Sequence, residues 1–185
     1  MNMNRFALLA VSLLVLSRPL AAENLVRNGT FDQSVGEWPA EDSSALVSWN
    51  ALDAGASPSS GSALVSNVTA GPGNGIGIHQ CVFAGIAAGA TYTYGGRVRI
   101  PSGQARTGFV MFGLRWYSTA DCSGDPLDQP RVDTRAFDAW ILLRDVSVAP
   151  ENARSAEVLA FPSKAEAGGQ LQAYFDDIFL SPSLV

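Results

Sequence analysis

Apolar and polar residues alternate with a period of two through most of this chain, and the helical period is nearly absent. In TYTYGGRVRI, Tyr92, Tyr94, Gly96, Val98 and Ile100 fall on one face, with Thr93, Gly95, Arg97 and Arg99 on the other. FVMFGLRWY repeats the arrangement: Val110, Phe112, Leu114 and Trp116 share a face, opposite Met111, Gly113, Arg115 and Tyr117. Trp116 therefore reads as core. Further strands are predicted over 45–49, 62–68, 77–83, 140–148, 155–161 and 173–180. Between them lie turn-forming clusters such as DAGASPSSGS, AGPGNG, IPSGQA and DCSGDPLDQP. About eight short strands separated by turns predict an all-β antiparallel sandwich or barrel.

The ends of the chain change this picture little. Residues 1–5 carry one positive charge, 6–17 form an apolar run, and Ala21-Ala22 supplies small residues, the pattern of a secretory signal cleaved after Ala22. The run is shorter than the roughly 20 residues a membrane-spanning helix needs. No cysteine follows it, so a lipid anchor is not indicated. The expectation is a single domain over 23–185, soluble and secreted or periplasmic. With 12 basic and 17 acidic residues the formal net charge is −5, and losing Arg5 and Arg18 makes it more negative. General nucleic-acid binders are expected to be basic, so that class is disfavoured.

Exported cysteines usually pair, and Cys81 and Cys122 are the only two, so a disulfide is expected between them. A metal site built on the same two residues lacks partners, since His79 is the one histidine.

The fragments NLVRNGTFD, Trp38, SSGSALV, HQCV, GATYTYGGRVRI, Trp140, VAPENARSAEVLAF and AYFDDIFL, in this order, resemble carbohydrate-binding modules of the family 4, 9, 16 and 22 type. These are galactose-binding-like jelly-roll β-sandwiches. Two departures stand out: an insertion around STADCSGDPLDQP, and Arg97 where many such modules carry a large aromatic. In the modules, an acid of the opening motif and an Asp of the last strand hold a structural calcium ion together with main-chain carbonyls. The resemblance places these roles on Asp32 and Asp176, with help from carbonyls near residues 28–30 and a loop such as 57–61. Alternation puts Asp176 on the face of Ile178 and Leu180, which point into the core. The alternative is that Asp32 caps a turn and Asp176 marks a strand end.

Catalysis is not expected. From Ala54 to Ala120 there is no acidic residue, and glycoside hydrolysis normally uses a pair of carboxyl groups. No G-x-S-x-G, P-loop, H-E-x-x-H or C-x-x-C motif occurs. The implied function is a secreted, non-catalytic, monomeric module that binds a polysaccharide, without nucleic acid or membrane insertion. If 92–100 and 109–117 are neighbours in one curved sheet, Arg97, Arg99, Arg115 and Tyr117 emerge together on its concave face. Tyr117 can stack on a sugar ring, and three guanidinium groups favour an anionic glycan. Two alternatives stay open: the arginines pair with Asp133, Asp138 or Glu157, and the chain is an extracytoplasmic structural or adhesion domain with no sugar ligand.

Overall fold

Alternation of this kind can bury one face of each strand only if two sheets close on each other, and the computed structural model shows that arrangement. It describes residues 23–73 and 75–183; the expected leader over 1–22 lies outside them. Nine strands occur among the described residues: β1 (Ala45–Asn50), β2 (Ser62–Asn67), β3 (Ile78–Val82), β4 (Thr91–Arg99), β5 (Gly108–Tyr117), β6 (Arg131–Thr134), β7 (Ile141–Val148), β8 (Ser155–Lys164) and β9 (Leu171–Pro182). One antiparallel sheet has the order β1-β2-β9-β4-β7, the other β3-β8-β5-β6. Tyr92, Tyr94, Val98, Phe112, Trp116, Val158 and Phe175 fill the space between them. Trp116 is fully buried, and its indole N–H donates to Ser147 Oγ at 3.0 Å.

One expectation is corrected. β4 and β5 are not neighbours: β4 pairs with β7 and β9, and β5 with β6 and β8. The segment between them crosses from one sheet to the other, which lets both apolar faces enter the same core. Arg97 and Arg99 therefore lie on the outer side of the five-stranded sheet, while Arg115 and Tyr117 lie on the outer side of the four-stranded one.

The opening stretch is stitched to the last strand. Leu25 N–H donates to Leu180 O at 2.8 Å, the Asn24 amide to Ile178 O at 3.0 Å, and Ile178 N–H to Gly29 O at 2.9 Å. At position 29 a Cβ would stand 2.2 Å from Ile178 O, so only glycine allows the approach. β9 carries a bulge: Gly95 faces Phe179 and Arg97 faces Asp176, so two steps on β4 match three on β9, with Asp177 at a φ of 47°. Asp176 is as buried as Ile178 and Leu180, but it stands opposite the outward Arg97, so the bulge puts it out of step with them and the alternation expected through 176–180 does not hold; Phe175, before the bulge, is buried in the core.

Cys81 and Cys122 form the expected disulfide, with an S–S distance of 2.05 Å. The insertion after β5 runs past the end of β8, where Cys122 N–H donates to Ser155 Oγ at 3.1 Å and Ser155 Oγ donates to Thr119 O at 2.8 Å. It is then fastened to β3 by the disulfide. The insertion is a strap across one end of the four-stranded face.

Candidate functional site

Two outer surfaces are available, and the four-stranded one is the more elaborated. Residues 155–161 alternate so that Ala156, Val158 and Ala160 enter the core while Glu157, Leu159 and Phe161 face outward. Glu157 is a carboxylate in the middle of an apolar strand, and burial penalises its charge. Three neighbours compensate. Arg115, directly opposite on β5, donates from Nη1 to Glu157 Oε2 at 3.1 Å, and Tyr117 Oη donates to the same oxygen at 3.0 Å. On the other side, Glu157 Oε1 lies 2.6 Å from His79 Nδ1 of β3. Glu41 joins the cluster through Arg115 Nη2 at 3.5 Å and accepts from Gly77 N–H at 3.0 Å.

The electrostatics follow from these contacts. Burial pushes the Glu157 carboxyl up, but the hydrogen bonds from His79 and Tyr117 and the Arg115 charge overcome it and hold the group below the usual range. The bond to Glu157 raises His79 in spite of its burial. Burial first, then the Glu157 charge, raises the Tyr117 phenol.

Two clefts flank this cluster. One, of about 190 Å³, borders Arg115 and is lined by Met111, Gly113, Pro130, Leu159 and Phe161. The other, of about 490 Å³, borders His79 and is lined by Arg27, Glu37, Gln80, Phe83 and Asp121, with the disulfide at its edge through Cys81. Phe83 is 63% exposed at its rim. Arg27 and Glu37 pair at 2.7 Å but both stay accessible. The arrangement offers acceptors, donors and an aromatic surface along one side of one sheet.

Of the residues expected to bind ligand, Arg115 and Tyr117 are brought together here, but Tyr117 is buried beneath the cluster rather than offered for stacking. Arg97 and Arg99 are on the other sheet. Arg97 Nε pairs with Asp177 Oδ2 at 3.2 Å, and Arg99 lies close enough to Asp138 for its charge to help depress that carboxyl, after the dominant hydrogen bonds from Ser102. The three-arginine surface does not form, which removes the basis for an acidic preference on a single face. Trp38 is buried, with its indole N–H shared between Arg27 O and Asn28 O, and Trp140 meets Tyr174 edge-on at 6.5 Å. The expected alternative, arginines paired with Asp133, Asp138 or Glu157, holds for Arg115 with Glu157, whereas the joining of His79 and Glu41 to that pair was not foreseen. The signal was the Glu at the centre of SAEVLAF, whose phase is outward.

Asp32 and Asp176 both touch the loop between β1 and β2. Ser60 Oγ donates to Asp32 Oδ1 at 3.1 Å and to Thr30 O at 3.0 Å. Ala54 N–H donates to Asp176 Oδ2 at 2.8 Å, and Asp177 N–H to Asp176 Oδ1 at 2.7 Å. Asp176 is 1% exposed and has no Lys, Arg or His partner among the described residues. Burial, followed more weakly by the charges of Asp177 and Asp53, pushes its carboxyl up to about 7, although the two backbone N–H groups act against this. The carbonyl and hydroxyl oxygens, Thr30 O and Ser60 Oγ, stand at Asp32, while both Asp176 oxygens accept from backbone N–H groups. No group of three or more His, Cys, Asp and Glu with metal-binding spacing occurs among the described residues, so carbonyls would have to complete the set.

No protein-family model matches the sequence, and no curated protein matches it. Solved structures do. The family 22 xylan-binding domain from Paenibacillus barcinonensis Xyn10C aligns with a TM-score of 0.60 at 14% identity, covering 89% of this chain and 97% of that one. A family 16 carbohydrate-binding module aligns at 0.56 and 19% identity, covering 85% and 99%. The chain has the fold of a carbohydrate-binding module. The enzymatically active domain of tailspike protein 4 of bacteriophage CBA120 aligns at 0.64 and 16% identity over 86% of this chain. There the chain spans about a fifth, 21%, of the larger protein. Identities this low establish a shared module fold and leave the ligand to the site itself.

Proposed function

We propose that this chain is a secreted, non-catalytic module that binds a polysaccharide along the outer face of its four-stranded sheet. The observation that carries the reading is the Glu157–Arg115–His79 cluster between two clefts on that face. Phe83 supplies an aromatic surface for the apolar face of a sugar ring, and Arg27, Glu37 and Asp121 supply donors and acceptors for its hydroxyls. Because the charges in the cluster pair with one another, a neutral chain is favoured over an acidic one on this face. Xylan is the natural first probe, since it is named for one of the matched modules. A calcium ion held by Asp176 and Asp32, with carbonyls of the 28–30 segment, would neutralise the buried Asp176 and tie the opening stretch to β9. The disulfide agrees with an oxidising compartment outside the cytoplasm.

A second reading is favoured by one observation. Arg115 and Tyr117 already donate to Glu157, so the centre of the face is filled by its own side chains, as expected of a structural or adhesion domain. Affinity electrophoresis on xylan separates the two. Retention that Phe83→Ala and Glu37→Gln each weaken supports the binding module; migration unchanged by xylan and other neutral polysaccharides supports the structural domain.

A further inference from the structure

The outer side of the five-stranded sheet, opposite the proposed polysaccharide face, contains a groove. Register places the outward residues of three adjacent strands in rows. Thr93 lies between Val146 and Ser181, Gly95 between Arg144 and Phe179, and Arg97 opposite Leu142 on β7. The centre of this array is therefore a glycine. A Cβ there would stand 2.0 Å from Leu143 O, and the residue has a φ of 148°, so no side chain can fill the position. Neighbouring strands are about 4.8 Å apart, which sets the walls Arg144 and Phe179 about 10 Å from each other across the glycine floor. An open groove of about 540 Å³ lies on this surface, lined by Thr93, Leu142, Arg144, Phe179, Ser181 and Ser183.

Its walls differ in kind. Phe179 is a half-buried aromatic, and Leu142 extends the apolar side. Thr93 Oγ1 and Ser183 Oγ hydrogen-bond to each other at 3.1 Å on the polar side, where Ser181 also contributes. Arg144 is exposed, and its guanidinium makes no ion pair or hydrogen bond among the described residues. In a chain with 17 acidic against 12 basic residues, an unpaired arginine beside an aromatic-walled groove is notable. Arg97, by contrast, is already matched by Asp177.

We propose that this groove is a second ligand site, which takes a single six-membered sugar ring bearing a carboxylate, a uronic acid residue of an acidic polysaccharide. The ring lies over Gly95 against Phe179, the carboxylate accepts paired hydrogen bonds from Arg144, and ring hydroxyls reach Thr93 and Ser181. The site is on the opposite surface from the four-stranded face. A chain with both sites occupied links an acidic polysaccharide to a neutral one.

The test is an amide NMR titration of the protein with trigalacturonate, with xylotriose as the neutral control. Trigalacturonate is expected to shift Thr93, Gly95 and Ser181 selectively. Arg144→Gln, an exposed change that leaves the fold intact, is expected to weaken that binding at least 10-fold, and Phe179→Ala by a similar factor. Raised salt should weaken the wild type and scarcely affect the residual binding of Arg144→Gln. The proposal is overturned if trigalacturonate leaves these amides unmoved, moves only those around Arg115, His79 and Phe83, or binds equally well to both variants. Xylotriose acting on the Arg115, His79 and Phe83 amides reports on the other face separately, so either site can fail without the other.

Discussion

Arg115 stands directly across the β5–β8 ladder from Glu157 and donates to it at 3.1 Å, while His79 reaches the same carboxylate from β3 at 2.6 Å. A single buried carboxylate thus braces three strands of one sheet, and the brace depends on protonation. Glu157 is held below its ordinary value of 4.5, so its contribution is present above that value and is lost as pH falls through the depressed one. His79 is raised above its ordinary value of 6.5, so its contribution is complete below 6.5 and is lost as pH rises through the raised value. The brace is therefore strongest between about pH 4.5 and 6.5. Thermal unfolding across pH 4 to 9 should show His79→Gln costing about 1 kcal/mol at pH 5.5 and much less at pH 9. A cost independent of pH would mean that the imidazole acts by packing alone.

The strap should depend on its disulfide. Cys81 and Cys122 are 41 residues apart, and closing a loop of that size stabilises by roughly 3–4 kcal/mol in the chain-entropy account. Denaturant unfolding of the Cys81→Ser, Cys122→Ser double variant should show a loss of that order with a steeper slope, because the denatured chain without the cross-link exposes more surface. The 490 Å³ cleft, which has Cys81 in its wall, should lose definition at the same time.

Lys164, the only lysine, is fully buried at the end of β8. Its ammonium donates to Thr69 O, to Gly168 O at 3.1 Å and to Gly169 O at 2.9 Å, with Arg106 Nε sharing Gly168 O at 3.0 Å. Three carbonyls from two loops take the place of a counter-ion. Lys164→Met keeps the stem and removes the donors, and should cost about 3 kcal/mol in equilibrium unfolding. Amine-reactive reagents should label Lys164 only after denaturation.

Asp176 carries the expectation about calcium. A cation that binds the folded state and hardly binds the unfolded one raises stability by mass action. Differential scanning calorimetry at pH 7.5 should find the melting temperature higher with millimolar calcium than with chelator. Asp176→Asn should abolish that difference, since the amide nitrogen cannot ligate calcium and would face one of the two backbone N–H groups that the carboxylate accepts from. Identical melting of the wild type in calcium and in chelator would leave Asp32 and Asp176 as turn and bulge residues only.

The strands were legible because eight of them carry a period of two with one apolar face, as in the TYTYGGRVRI segment of β4. β6 escaped because Arg131–Thr134 is four residues long, at a sheet edge, with two charged side chains and no apolar run. Alternation assigned each side chain to a face but could not say which strands share a sheet. Arg97 and Arg115 were joined on one surface for that reason, since pairing is decided by the crossover between β4 and β5 and not by either strand's own pattern. The bulge at Asp176 and Asp177 was invisible for a similar reason: it is defined by the partner strand. Glu157 was visible as an outward acid in an apolar strand, but its partners come from β3, β5 and the segment before β1, distant in sequence and adjacent only in the fold.

Whether the outer face of the four-stranded sheet is the polysaccharide site can be read most directly from a chemical-shift map with xylohexaose. Saturable shifts are expected, concentrated at His79, Phe83, Arg115 and Glu157 and weakened several-fold by Phe83→Ala. Shifts confined to the five-stranded sheet, or none at millimolar xylohexaose and equally none with other neutral oligosaccharides, would contradict that placement of the site.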